Sequence, residues 1–293
     1  MKQRIRFIIN PISGVGKKNE LPSIIDQNLD HNKFSFDIAY TEYKEHAKEI
    51  AKIASEEGID IVCAVGGDGS VHEVGTVLIG TKTKMAIIPC GSGNGLARHL
   101  GIPVDIAKAV QCINNDQSIQ MDTVKVNERP FLGIGGYGFD ALIAKKFDAY
   151  HKRGLWSYVK LILREFWKYN PINVSVDMNG EVKTLPVVLC TIANSSEFGN
   201  GFVVSPNSDV TDGKIEMVIL KPFSIWSAPS IIYHFFKRTA HKSRFSEIVS
   251  FQNAQIKMKQ NNLAHYDGEP MTVKNTLNVQ VVPRSLHILI GSK

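Results

Sequence analysis

Two acidic turns in this 293-residue chain carry the residue types of phosphoryl-transfer chemistry. One is Ala64-Val65-Gly66-Gly67-Asp68-Gly69-Ser70, directly after an apolar run that reads as a buried strand. The other is His265-Tyr266-Asp267-Gly268-Glu269-Pro270. Moving a phosphoryl group calls for a divalent cation to offset phosphate charge, a carboxylate to take the proton of the attacking hydroxyl, and fixed positions for both partners. Glycines remove Cβ atoms where a phosphate must approach the backbone and permit conformations that turn N–H groups toward it. Asp68 is placed to act on a nucleotide, its metal or an incoming hydroxyl. Asp267 and Glu269 are placed to supply acid from a second domain across a cleft. The plain alternatives are a helix cap for Asp68 and a solvated hairpin turn for the second pair.

Two more glycine loops follow expected strands. Asn10-Pro11-Ile12-Ser13-Gly14-Val15-Gly16-Lys17-Lys18 precedes a helix, where N–H groups and the helix dipole favour anions. It lacks the spacing of a P-loop and of a dinucleotide fingerprint. Pro89-Cys90-Gly91-Ser92-Gly93-Asn94-Gly95 is the third loop. Each loop alone reads as a β–α turn. Together, with Asn10, Ser13, Ser70, Ser92 and Asn94, they are expected to form one polyphosphate cradle built from backbone donors rather than a P-loop lysine.

The elements that must position these loops alternate along the first half. Strands are expected at Arg4–Asn10, Phe34–Tyr40, Ile59–Val65 and Met85–Ile88. Helices are expected at Lys17–Asn28, Glu45–Glu57, near Val71–Ile79, around Leu96–Leu100 and at Asp105–Asn114. This is the rhythm of a parallel sheet with helices on both faces, whose ligands sit at the carboxyl ends of the strands. After Asp122 strands dominate: Val124–Val126, Phe131–Ile134, Ile172–Met178, Pro186–Ala193, Ile215–Leu220, Gln255–Met258, Leu277–Val282 and Leu286–Ile290. A helical stretch near Ala141–Tyr169 interrupts them, and Asn179-Gly180 and Asp212-Gly213 mark turns. The expected fold class is α/β: an N-terminal three-layer α/β domain with a mainly parallel sheet, residues 1–122, plus a C-terminal β-sandwich-like domain, residues 123–284.

Composition sets outer limits. With 43% apolar and 21% charged residues the chain is globular. Cys63, Cys90, Cys112 and Cys190 are scattered without a C-x-x-C pair, which favours free thiols in a reducing cytoplasm over a disulfide framework. No run reaches the ~18 apolar residues of a spanning helix. Net charge is +6, concentrated in residues 145–168 and 237–246, so a globally basic nucleic-acid binder is disfavoured.

The motif Asn10-Pro11-x-Ser13-Gly14, the motif Gly66-Gly67-Asp68-Gly69-Ser70-x-x-Glu73-Val74 and the motif Pro89-x-Gly91-Ser92-x-Asn94 resemble the three signatures of the diacylglycerol kinase catalytic family. That family includes bacterial lipid kinases and sphingosine kinases and is related to NAD kinases. The likeness continues through Gly133-x-Gly135, Phe139-Asp140, Ala193-Asn194, Phe198-Gly199-x-Gly201, Ser205-Pro206, Asp212-Gly213 and Asp267-Gly268-Glu269. It implies ATP with Mg²⁺ bound between the two domains, and a C-terminal strand, Ser285–Lys293, returned to the first. By position, Asn10, Ser13, Gly14, Thr41, Gly66, Gly67, Asp68, Gly69, Ser70, Val71, His72, Ser92 and Asn94 would contact the nucleotide. Asp68 and Glu269 would be the acid/base and metal-linked carboxylates with Asp267 beside them, the proton acceptor among the three being left open. Thr211-Asp212 stands where an acidic pair is usual, leaving Asp212 as the candidate for a structural Mg²⁺. Asn94-Gly95 and the Gly-Ser-Gly-Asn form lie closer to the sphingosine-kinase version.

The expectation is therefore an ATP- and Mg²⁺-dependent lipid kinase acting on diacylglycerol or a sphingoid long-chain base. A kinase of a soluble acceptor, as in NAD kinases, and a catalytically silent lipid- or nucleotide-binding regulator are the alternatives. Asp68→Asn and Glu269→Gln are expected to lose turnover and keep ATP binding. The expected partner is a lipid acceptor at a membrane surface, reached by a soluble or peripheral cytoplasmic protein through basic-aromatic patches at 145–168 and 235–244. In the first patch Leu155, Trp156, Val159, Ile162, Leu163, Phe166 and Trp167 recur at helical spacing, which packing on the protein's own core also explains. No nucleic-acid partner is expected, and a homodimer is possible.

Overall fold

Alternating strands and helices build the first of two units, residues 1–122 with 283–293. The computed structural model describes residues 2–11, 20–148, 155–178, 180–258 and 262–291, without the side chains of 147, 148, 155–159 and 163. The unit runs β1 (Gln3–Ile9), α1 (Leu21–Asn28), β2 (Phe34–Tyr40), α2 (His46–Glu56), β3 (Ile61–Gly66), α3 (Asp68–Leu78), β4 (Lys84–Pro89), α4 (Gly95–His99) and α5 (Ile106–Asn114). β5 (Ser118–Val126) leads out of it. Strands β2, β1, β3 and β4 pair in that order, all parallel. Every residue of β3 is buried, as a strand covered on both faces requires, which is why its sequence is a near-continuous apolar run.

The first half departs from the expected elements chiefly at two helix starts and at β5, which begins at Ser118 ahead of the expected Val124. α1 starts at Leu21, with Pro22 in its first turn; residues 12–19, with Ser13 and Gly14, lie outside the described residues. α3 starts at Asp68, ahead of the expected Val71, because extended Gly67 serves as its N-cap. That moves Asp68 from a free loop into the first turn of a helix.

The second unit, residues 123–282, contains two antiparallel sheets. Its elements are β6 (Arg129–Phe131), β7 (Ile134–Gly138), α6 (Phe139–Asp148), α7 (Leu155–Phe166), β8 (Ile172–Met178), β9 (Glu181–Val187), β10 (Leu189–Ala193) and β11 (Ile215–Leu220). They are followed by α8 (Ala228–Phe236), β12 (Ser246–Phe251), β13 (Asn253–Met258), β14 (Leu263–Tyr266), β15 (Glu269–Thr272) and β16 (Thr276–Leu289). One sheet has the order β12-β11-β10-β7-β14-β15; the other joins the first half of β16 to β13, β8 and β9. Alternate residues of the two sheets, such as Cys190, Ile192, Met217 and Tyr266 against Val174, Val176, Ile256 and Leu277, form one core. The far face of the six-stranded sheet is covered as well: Ile134, Leu189, Val218 and Leu220 pack with Ile143, Leu161, Ile231 and Phe235 of α6–α8. β16 then continues into the first unit, where Ile288 pairs in parallel with Met85.

Several expected strands are divided differently. Pro186–Ala193 is two strands in two sheets, parted at Val188, whose N–H donates to the Leu220 carbonyl at 2.8 Å. Phe131–Ile134 is the end of β6 and the start of β7. Leu277–Val282 and Leu286–Ile290 are one strand, with Arg284 at φ +49 and its N–H held by Asp122 Oδ1 at 2.7 Å. The helical stretch Ala141–Tyr169 is α6 and α7. Strand β12 and helix α8 carry no expectation from the sequence, and β14 with β15 only that of a hairpin turn at Asp267-Gly268, which they form. Asn179 of the Asn179-Gly180 turn lies outside the described residues.

Candidate active site

Within the first unit the ends of three strands meet. Asn10 follows β1, Gly66 to Ser70 join β3 to α3, and Cys90 to Asn94 join β4 to α4. The Asn10 side chain donates to Ser70 Oγ at 3.4 Å, and the Cys90 N–H donates to the Gly66 carbonyl at 2.8 Å. Gly67 and Gly91 pack backbone to backbone. A Cβ on Gly91 would stand 2.5 Å from Gly67 Cα and 2.8 Å from Asn94 Oδ1. Asn94 closes its own loop, accepting the Gly91 N–H at 2.9 Å and donating to the Gly91 carbonyl at 2.7 Å. It does so from a left-handed backbone, φ +56, which asparagine tolerates.

Asp68 ties the loops together. Its two carboxylate oxygens accept the N–H groups of Asn94, at 2.9 Å, and Gly95, at 2.8 Å. It thereby caps α4, while Gly67 leaves α3 without a side-chain cap. First-turn N–H groups of a helix have no intrahelical partner and carry the positive end of its dipole. This glycine cradle at a helix start fits a polyphosphate. Thr41 is buried at the end of β2, its N–H on the Ile9 carbonyl at 3.0 Å. Ser70 is buried and His72 half-buried on α3, and Ser92 lies in the third loop. Burial pushes the Cys90 thiol up to about 11, which keeps it neutral at ordinary pH.

In the second unit Asp267 occupies the turn between β14 and β15 at φ +49. Its carboxylate accepts three backbone N–H groups: Leu132 at 2.9 Å, Gly133 at 2.8 Å and Ile134 at 3.2 Å. Its own N–H returns to the Ile134 carbonyl at 2.8 Å. Asp267 therefore fixes the bend between β6 and β7. Glu269, two residues on, is half-buried at the start of β15. Asp212 caps a turn through the Lys214 N–H at 2.9 Å. Among the described residues no three His, Cys, Asp or Glu side chains are grouped as a metal site.

Five further residues, Glu73, Arg98, His265, Thr191 and Asp140, hold positions to which the sequence alone attached no role. Glu73 accepts the N–H groups of Glu45, at 3.1 Å, and Ala47, at 3.2 Å, and so caps α2. Its place in the Gly-Gly-Asp motif was the available signal. Arg98 on α4 donates to the Gly93 carbonyl at 3.1 Å, bracing the third loop. His265 and Thr191 flank Gly136 across β14, β7 and β10, and the Asp140 carboxylate fills the space above that glycine. It accepts from Thr191 Oγ1 at 2.9 Å and lies 3.4 Å from His265 Nε2. A Cβ on Gly136 would stand 1.9 Å from Asp140 Oδ2.

In the first basic patch, the described apolar side chains of α7 pack on the sheet. Leu161 is buried, Ile162 and Phe166 pack under the sheet, and Glu165 is ion-paired with Lys146 and Arg164. Trp167 is exposed; the side chains of Leu155, Trp156, Val159 and Leu163 lie outside the described residues.

A parallel α/β unit with glycine loops at its strand ends is thus joined in one chain to a two-sheet unit bearing an acidic turn. Residues 4–126 match the diacylglycerol kinase catalytic domain, and residues 133–290 match the YegS C-terminal NAD kinase beta sandwich-like domain. The chain belongs to this diacylglycerol kinase and YegS-type lipid kinase family. It is 28% identical to a diacylglycerol kinase of Bacillus subtilis over 75% of this chain and 74% of that one. Its fold is similar to a diacylglycerol kinase structure from Bacillus anthracis, with a TM-score of 0.75, 18% identity, and coverage of 99% and 97% of the two chains. An NAD kinase from Archaeoglobus fulgidus in complex with ATP shares the fold at a TM-score of 0.55 and 11% identity, over 99% of this chain and 95% of that one.

Proposed function

We propose that this protein is an ATP- and Mg²⁺-dependent lipid kinase, with diacylglycerol as first acceptor and a sphingoid long-chain base as second. The acceptor hydroxyl attacks the γ-phosphorus, the bond from that phosphorus to the β,γ-bridging oxygen breaks, ADP leaves and the hydroxyl proton passes to a carboxylate. The observation that carries the reading is the glycine contact between Gly67 and Gly91, locked by Asp68 on the Asn94 and Gly95 N–H groups. It joins two glycine-rich loops into one closely packed surface at the strand ends.

In this proposal Asn10, Ser13, Gly14, Thr41, Gly66–His72, Ser92 and Asn94 hold the nucleotide. Glu269 is the proton acceptor or the magnesium-linked carboxylate, and Asp267 and Asp68 are positioning residues whose oxygens are committed to backbone N–H groups. The family relatives named as diacylglycerol kinases support the acceptor class. The NAD kinase neighbour supports the fold alone.

Labelled ATP offered with diacylglycerol, sphingosine and NAD⁺ in parallel tests this. Label is expected in a lipid and absent when magnesium is chelated. Label in NAD⁺ alone would replace the acceptor class, and no transfer to any acceptor would remove the enzymatic reading.

A further inference from the structure

From Met217 to Ser246 the chain holds five Lys or Arg residues and no Asp or Glu. At the centre of that stretch is α8, which is apolar on two faces. Ile231 and Phe235 point inward and are buried under the six-stranded sheet. Pro229, Ile232, Tyr233 and Phe236 follow one another at i, i+3, i+4 and i+7 and are exposed, so they share the opposite face. Exposure reaches 46% at Ile232, 59% at Tyr233, 53% at Phe236 and 90% at Trp226, just before the helix. A single exposed apolar side chain is ordinary, whereas four large ones on one short segment mark a surface that something covers. Lys237, Arg238, His241, Lys242 and Arg244 follow directly, all exposed.

We propose that the outer face of residues 226–244 docks on an anionic bilayer. Trp226 and Tyr233 sit at headgroup depth, Ile232 and Phe236 reach the acyl boundary, and the lysines and arginines meet lipid phosphates. The charge selects this occupant. A two-fold contact between copies would set the same cationic segment against itself, whereas an anionic leaflet complements it. The choice of a bilayer rests on the lipid-kinase reading, whose acceptor resides in one. It places the docking face on α8 and the turns that follow.

Co-sedimentation with vesicles of phosphatidylcholine, with and without phosphatidylglycerol, tests the proposal on the full chain. The protein is expected on the anionic vesicles and to leave them in high salt. Lys237→Glu is expected to lower partition at least about fivefold, and Ile232→Ser with Phe236→Ser to abolish it, with cooperative thermal unfolding kept because Ile232 faces outward and Phe236 makes an edge contact with Phe202 only at the rim of the core. Phosphorylation of a detergent-dispersed short-chain acceptor is read on the same samples. Lipid-independent retention, or variants that bind like the parent, overturn the docking face. Light scattering that shows a dimer dissolved by Phe236→Ser also overturns it, in favour of a second copy. Vesicle binding with no phosphate transfer leaves the face standing and removes the kinase; transfer with no partition does the reverse.

Discussion

Asp68 reaches from the first turn of α3 to the Asn94 N–H at 2.9 Å, and its second oxygen takes the Gly95 N–H at 2.8 Å. The acid of the Gly-Gly-Asp-Gly loop is thus the tie between the second and third glycine loops. This changes the expected behaviour of its variants.

An amide at this position keeps one acceptor and turns its nitrogen toward a backbone N–H. Asp68→Asn is expected to cost about 1.5–3 kcal/mol, the worth of hydrogen bonds to a charged group, and to weaken ATP binding together with turnover. Calorimetric titration with ATP decides it. Unaltered nucleotide affinity with lost turnover would return Asp68 to direct acid/base chemistry.

The contact between Gly67 and Gly91 makes a second, sharper case. A methyl on Gly91 would sit 2.5 Å from Gly67 Cα, against backbone that cannot swing aside, so the loops must separate. Gly91→Ala is expected to lose ATP binding more severely than Asp68→Asn. Gly93→Ala, in the same loop, is the comparison: it isolates the close approach from the loss of loop flexibility. Equal ATP affinity in the two variants would show that the contact does not shape the site.

How far the sequence reaches depends on the range of the interaction. The run Ile61 to Val65 declares a buried parallel strand because both its faces are covered, and the glycines after it announce a turn at a strand end. Both signals are local. Val188 is different: one residue parts β9 from β10, and only the partners of those strands, β8 on one side and β7 with β11 on the other, decide where the break falls. The four-residue strands β14 and β15 are too short to show a period. Asp68, Glu73 and Asp267 were visible as acids in suggestive places. That each satisfies backbone donors, some of them more than a hundred residues away, depends on tertiary contacts that no local pattern encodes.

Asp267 and Glu269 are separable for the same reason. Asp267 holds three N–H groups between β6 and β7, so Asp267→Ala leaves buried donors without acceptors and is expected to lower the melting temperature as well as activity. Glu269→Gln is expected to preserve the melting temperature and nucleotide binding while turnover falls by about two to four orders of magnitude, the usual worth of a positioned acid or base. If Glu269→Gln retains turnover, its assignment falls; if Asp267→Ala melts like the parent, the bend does not need its carboxylate.

The packing under the sheet carries its own expectation. Gly136 leaves room for the Asp140 carboxylate between Thr191 and His265. Gly136→Ala would drive a methyl into that buried carboxylate, and overpacking of this kind costs about 1–3 kcal/mol or more. Urea unfolding should show a lower midpoint with an unchanged slope. A parental midpoint would mean that the helix carrying Asp140 moves freely away.

Glu216 on β11 gives the fold a pH dependence of definite sign. Its carboxylate is buried, accepting Ser208 Oγ at 2.7 Å and Ser250 Oγ at 3.2 Å. Burial raises its pKa above the ordinary carboxylate value, more than the two hydroxyls lower it, and nearby Asp212 adds to the rise. The folded state therefore holds this proton to higher pH than the unfolded chain does. The stability it contributes is complete below the unfolded pKa and is lost as pH rises through the folded one. Glu216→Gln removes the titration and keeps the shape. Parent and variant are expected to melt alike in acid, and the variant to gain on the parent as pH rises to neutrality. A parent that gains on the variant over that range would mean that the serine hydrogen bonds outweigh burial and that Glu216 is held as a carboxylate.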